Sequence, residues 1–228
     1  MYSSLKAMSF SRGQIEWALA QVVAPSHRCV EEDEGFLKMK IKRLVDLDRK
    51  HGIDPFQDHP GLGRFAFFEG KSPGKGHAIS YTSYDAFALL IGVQLLDANV
   101  PQSAVIRLLR HVRPLLKHAY GEILSRDPME IAGSKQDLEN RIKRGQLATD
   151  PSKMQFLVLA SGAAAEFLTA RANDGEVANF AQSPDELVSV VAHLTLVSPP
   201  VLVFEIANRA HQLVWWLRAA PSIQRGRH

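Results

Sequence analysis

One cysteine, Cys29, stands in a chain of 228 residues. An intramolecular disulfide and a cysteine-based zinc site are thereby excluded, and such sparing use of the thiol fits a reducing compartment. Long apolar runs are missing too. The most apolar stretch, Ala86–Leu96, falls well short of the ~18 residues that a membrane span requires. The opening Met-Tyr-Ser-Ser-Leu-Lys has no apolar run of the secretory kind. A cytoplasmic protein without a membrane partner is the expectation. No repeat at a period of roughly 20–50 residues is present, which excludes solenoids and propellers.

Neither sign of charge dominates. The formal net charge is +3, which on its own does not call for a polyanionic partner. Its distribution is more informative. Residues 1–120 carry 16 Lys and Arg against 12 Asp and Glu, whereas residues 121–228 carry 11 against 12. The mild basic excess therefore sits in the first half. A hydrophobic fraction of 46% is that of a packed globular protein.

Catalytic and metal signatures are also absent. Among nine histidines, His111 and His118 lie seven apart, and His51 and His59 flank a loop. None belongs to a His-x3-His pair with a carboxylate or to His-Glu-x2-His. There is no Gly-x-Ser-x-Gly elbow. Lys71-Ser-Pro-Gly-Lys-Gly76 lacks the order of a phosphate-binding loop, because Gly76 follows Gly74-Lys75. Ser161-Gly162 reads as a turn, and Asp185-Glu186 as helix-start residues after Ser183-Pro184. The chain reads as a non-enzyme, with no metal and no cofactor expected.

What is present begins with helices. Ser11-Arg-Gly-Gln14 has the form of a capping box and predicts a helix over Arg12–Val23. The acidic run Glu31–Glu34 favours the start of a second helix, whose periodic part covers Phe36–His51. At 100° per residue Leu37, Ile41, Leu44, Val45 and Leu47 share one arc. Lys38, Lys42 and Arg49 cluster on another, with Arg43 and Lys50 beyond, and Asp46 and Asp48 offset part of that charge. Residues 52–63 are dense in turn formers.

A basic hairpin is predicted next. Arg64–Gly70 reads as a strand, Lys71–Gly76 as a turn, and His77–Tyr81 as the return strand. Thr82 or Ser83 caps a helix over Ser83–Ala98 whose apolar residues point all round. A further amphipathic helix, Pro101–His118, should kink or split at Pro114. A basic hairpin beside helices is how a winged helix-turn-helix offers a wing to a nucleic-acid backbone.

This order of elements over residues 10–118 resembles the MerR-type winged-helix family. Tyr81 stands at the position of the wing-end tyrosine and Asp85 at that of the acidic residue. Leu89, Leu90, Leu95 and Leu96 supply the leucines, Asn99-Val100-Pro101 the short turn, and Val105–Leu109 the following helix. The loop Ala24–Gly35 is longer and more acidic than the family's turn. The resemblance implies a homodimeric bacterial transcriptional regulator that binds double-stranded DNA. Lys38, Lys42, Arg43 and Arg49 would face the major groove, and Arg64, Lys71, Lys75 and His77 would neutralise phosphates.

The second half predicts a polar helix over Ser134–Arg144, buried strands at Phe156–Ala160 and Val188–Val197, a helical segment at Ala163–Arg171 and a final helix over Val203–Ala219. Phe204, His211, Trp215 and Trp216 on that last helix are assigned to a dimer interface. The resulting expectation is α+β, mostly helical. A winged helix-turn-helix domain at 10–125 precedes a small α+β domain at 126–228 for dimerisation or ligand binding. A protein-interaction adaptor using the same two surfaces is the alternative.

Overall fold

In a computed structural model that describes residues 8–23, 30–51, 65–69, 79–127, 134–144, 153–160, 178–197 and 201–221, one nearly charge-free helix forms the centre. This helix, α3 (Ser83–Asp97), buries every residue from Ser83 to Val93, because no polar face interrupts its sequence. Its start is fixed by a complete capping box: the Thr82 hydroxyl accepts from the Asp85 N–H at 3.1 Å, and the Asp85 carboxylate accepts from the Thr82 N–H at 2.9 Å.

Around α3 pack α1 (Arg12–Val23), α2 (Val30–His51), α4 (Gln102–His111) and α5 (Arg113–Ser125). The Ser11–Gln14 box at the head of α1 is made in both directions, at 3.3 and 2.9 Å. The predicted break near Pro114 falls at Val112, which separates α4 from α5 and leaves the proline in the first turn of α5. Proline is tolerated there because a first-turn N–H has no helical partner to lose.

The polar segment is helical as predicted, with α6 spanning Lys135–Lys143 behind a Ser134 cap. Strand β1 (Phe156–Ala160) runs between β2 (Ala178–Ala181) and β3 (Val201–Glu205) in a three-stranded antiparallel sheet. Leu157 pairs with Phe180 and Phe204, and Leu159 with Ala178 and Leu202. All six join the same hydrophobic core as the helices. Helix α7 (Pro184–Val197) lies against the sheet, and α8 (Ala207–Ala219) packs on α1, α3 and α5. The described part of the chain is thus mostly helical α+β, and its core runs without interruption from Phe10 to Leu217.

Three segments depart from their sequence reading. Val188–Val197 is the body of helix α7, not a strand. Its β-branched run is overridden by a strong N-terminus: Ser183 Oγ accepts from the Glu186 N–H at 3.1 Å, and the Glu186 carboxylate accepts from the Gln182 N–H at 2.7 Å. Val201–Glu205 is strand β3, so Val203–Glu205, read as the first turn of the last helix, and Phe204 with them, belong to the sheet. Helix α8 starts only after it, with Glu205 accepting from the Asn208 N–H at 2.8 Å.

The third departure concerns the hairpin. Residues 65–69 are not a strand, and Tyr81 bridges to Phe10 instead of pairing back onto them. Phe65, Ala66, Phe67 and Phe68 are all buried, with no alternation between faces. The N–H groups of Ala66 and Phe67 and the carbonyls of Phe65 and Ala66 bond to buried side chains, which takes the place of a sheet ladder for these groups. The predicted elements at residues 52–63, 70–78 and Ala163–Arg171 lie outside the described residues, as do Cys29, His59 and the tail after residue 221.

Candidate functional site

Helix α2 divides cleanly. Leu37, Ile41, Leu44 and Val45 are buried in the core, while Lys38, Lys42, Arg43 and Lys50 are exposed. Lys38 pairs with Glu34 one turn back at 3.1 Å, and Lys40 pairs with Asp97 on α3. Arg49 is half-buried. Asp46 is exposed on this helix, but Asp48 is not: it is 0% exposed. One of the two acids that the sequence set against the basic face has been withdrawn into the core, so the exposed surface is more positive by that one charge than the composition of α2 indicates.

Asp48 anchors a buried polar network. Its Oδ1 accepts from Arg110 Nη2 at 2.7 Å and from Nε at 3.0 Å, and Arg110 also donates to the Asp48 carbonyl at 2.8 Å. The second carboxylate oxygen accepts the N–H groups of Ala66 at 2.9 Å and Phe67 at 3.2 Å. Burial pushes the Asp48 carboxyl above the usual carboxylate range, while Arg110 and the two N–H groups pull it back.

A second buried pair grips the other side of the same segment. Arg113 donates through Nη1 to the carbonyls of Phe65 at 3.0 Å and Ala66 at 2.5 Å, and through Nη2 to Asp85 at 3.0 Å. The guanidinium lies 5.1 Å from the centre of the Tyr84 ring, and the Tyr84 hydroxyl donates to the Arg113 carbonyl at 3.2 Å. Burial raises Asp85, against the opposing pull of Thr82 and Arg113. At the surface Glu69 meets Lys117, which lowers the Glu69 carboxyl. Each buried carboxylate is saturated by a guanidinium and by local donors. The pair therefore braces the 65–69 segment between α2 and the α4–α5 junction.

The sequence-assigned residues separate accordingly. Lys38, Lys42 and Arg43 lie on the outward side of α2, with Arg49 at its edge. Arg64, Lys71, Lys75 and His77 lie outside the described residues. Residues 65–67, which lead towards that basic stretch, are tied to α2 by Asp48. Of the assigned dimer residues, one is buried and three are partly exposed. His211 is 2% exposed, and Phe204 packs on the main core. Trp215 and Trp216 contact Leu138 and Ile142 of α6, and Trp216 also meets Trp17 edge-on at 5.7 Å between ring centres. Within the chain Phe204, Trp215 and Trp216 are partly buried.

The sequence reading does not pair Asp48 with Arg110, or Asp85 with Arg113. A signal exists for the first: Asp48 sits eleven residues after Leu37, in the middle of the apolar arc of α2, where a carboxylate needs a buried cation. Among the described residues no group of three His, Cys, Asp or Glu could hold a metal ion, and no helix is long and apolar enough to cross a membrane. No family model matches the chain, and no curated protein or solved structure shows significant similarity to it.

Proposed function

We propose that this protein binds double-stranded DNA through the outward face of α2, as a homodimeric transcriptional regulator of winged helix-turn-helix type. The observation that carries this reading is the exposed Lys38, Lys42, Arg43 and Lys50 on one helix whose other side is locked into the core, with Asp48 removed from the surface. A rigidly held helix with a cationic outer face suits insertion beside a phosphate backbone. The tether from Asp48 to Ala66 and Phe67 supports the same reading, since it holds residues close to Arg64, Lys71, Lys75 and His77 in sequence against α2. In this reading those four residues serve as wing contacts to phosphates.

The test is fluorescence anisotropy with a panel of labelled duplexes at low and moderate salt. Binding that weakens steeply with salt, and weakens again in Lys42→Gln, is the expected result. Absence of binding to every duplex at low salt would refute the proposal.

One observation favours a second reading, the protein-interaction adaptor. Phe36 is 61% exposed and Met39 is 37% exposed on the same helix, and exposed apolar side chains of this size often mark protein contacts. Phe36→Ser separates the two: it leaves DNA affinity unchanged under the first reading and abolishes partner binding under the second.

A further inference from the structure

Strand β3 pairs with β1 on one side and lies at the edge of the sheet on the other. None of its residues is buried, whereas Leu157, Val158 and Leu159 of β1 beside it all are. The opposite edge, β2, is guarded, because α7 follows it at once and lies closest to it.

The ladder fixes which groups of β3 reach the open side. The Ile206 N–H donates to the Gln155 carbonyl at 2.8 Å, one step beyond the pair Glu205–Phe156. Hydrogen-bonded and non-hydrogen-bonded pairs alternate along an antiparallel ladder. Leu202 and Phe204 therefore bond to β1, while Val201, Val203 and Glu205 turn their N–H and C=O groups outwards. Leu202 and Phe204 also point their side chains into the helical core, so those of Val201, Val203 and Glu205 share the opposite face, against which α7 lies. Cover on that face fades towards β3: Val158 is fully buried, and its partner Val203 is 43% exposed.

Natural sheets guard such an edge with a lysine, a proline or a bulge. Val201-Leu-Val-Phe-Glu205 contains no lysine or proline, and its pairing to β1 runs without a bulge. Its ends set the register of any added strand. Pro199 and Pro200, which have no N–H to donate, precede it, and helix α8 follows it. Antiparallel pairing of the whole strand with its own copy then has one register: Val203 faces Val203, and Val201 faces Glu205 at each end. Every facing pair exchanges two backbone hydrogen bonds, because all three outward residues meet outward residues. Charge agrees with this register. The two Glu205 carboxylates stand about 14 Å apart, at about 3.4 Å per residue, and each lies across from a valine rather than from the other carboxylate.

We infer that the open edge of β3 is the contact between two copies of this chain: β3 pairs antiparallel with its own copy about a two-fold axis at Val203 and joins the two three-stranded sheets into one. The inference rests on the homodimer of the proposed function and gives it a contact, on the strand before α8 rather than on α8 itself.

Sedimentation of the full chain without DNA tests this, so failure here leaves the duplex contact standing, and failure of duplex binding leaves this contact standing. The wild-type chain should sediment with twice the mass of one chain. Val203→Lys sets two ammonium groups face to face and should raise the dimer Kd at least about a hundredfold, with the fold checked by circular dichroism. In a Cys29→Ser background, Val203→Cys should oxidise to a covalent dimer, since facing hydrogen-bonded residues have Cα atoms about 5.5 Å apart, within disulfide reach. Val188→Cys on α7, at a more exposed position, should not cross-link. A wild-type chain that stays monomeric up to its solubility limit would overturn the inference. So would a folded Val203→Lys chain that dimerises like the wild type, or cross-linking of Val188→Cys as complete as that of Val203→Cys.

Discussion

His211 refuses a proton that the unfolded chain accepts. It lies in α8 with 2% of its surface exposed. Burial, aided by the charge of Arg126, holds its imidazole down at about 4, against 6.5 for a free side chain. A group whose folded pKa lies below its unfolded value stabilises the fold in its neutral form. That contribution is full above pH 6.5 and drains away as pH falls towards 4. At about 1.36 kcal/mol per pKa unit the whole gap is worth about 3 kcal/mol. About 2 kcal/mol of it is lost between pH 8 and pH 5. His211→Leu removes the titration and keeps an apolar side chain of similar size. Urea unfolding of both proteins at pH 8, 7, 6 and 5 compares the slopes, and any constant offset from the substitution cancels. The wild-type chain should lose about 2 kcal/mol more than the variant over that range. Parallel curves for the two proteins would refute the burial of a neutral imidazole.

Three further outcomes follow from the core. Asp48→Ala strands the Arg110 guanidinium and the N–H groups of Ala66 and Phe67, and should cost about 3–5 kcal/mol in urea unfolding; a loss below about 1 kcal/mol would contradict the brace. Gly92→Ala gains up to about 1 kcal/mol of helix propensity. Its new Cβ, however, would stand 3.1 Å from Phe67, 3.2 Å from Leu44 and 3.3 Å from Leu109. The crowding should win, for a net loss of about 1–2 kcal/mol by thermal denaturation, and a stabilised variant would show that the three side chains yield freely. Thr82→Ala removes the cap of α3 and should cost about 1 kcal/mol by calorimetry, with no change refuting the cap's role.

Legibility follows local chemistry. Caps and periodic stripes mark α1, α3, α6 and the α4–α5 break, because each is decided by neighbours in sequence. The run Val188-Ser-Val-Val-Ala192 points the wrong way, since β-branched content is a weak preference that a capped N-terminus overrides. Val201–Glu205 is hidden for the converse reason: its pairing partner β1 is remote in sequence. The hairpin reading takes Arg64–Gly70 and His77–Tyr81 as strands on either side of the turn Lys71–Gly76. Residues 65–67 instead have backbone groups bonded by Asp48 and Arg113, which no local pattern announces. The basic residues of α2 are legible as a face. Withdrawal of Asp48 from that face is legible only by asking why a carboxylate shares an arc with Leu37, Ile41 and Leu44.

The central proposal is that the outward cations of α2 grip a nucleic-acid backbone. Its most direct test is the salt dependence of duplex affinity for the wild-type chain and for Lys38→Gln, Lys42→Gln and Arg43→Gln combined. All three side chains are exposed, so the fold should survive, as circular dichroism will verify. The slope of log affinity against log salt should shrink by about 2–3 in the triple variant, at about 0.9 for each phosphate no longer neutralised. An unchanged slope, with wild-type binding intact, would place the DNA-binding surface elsewhere and contradict the account.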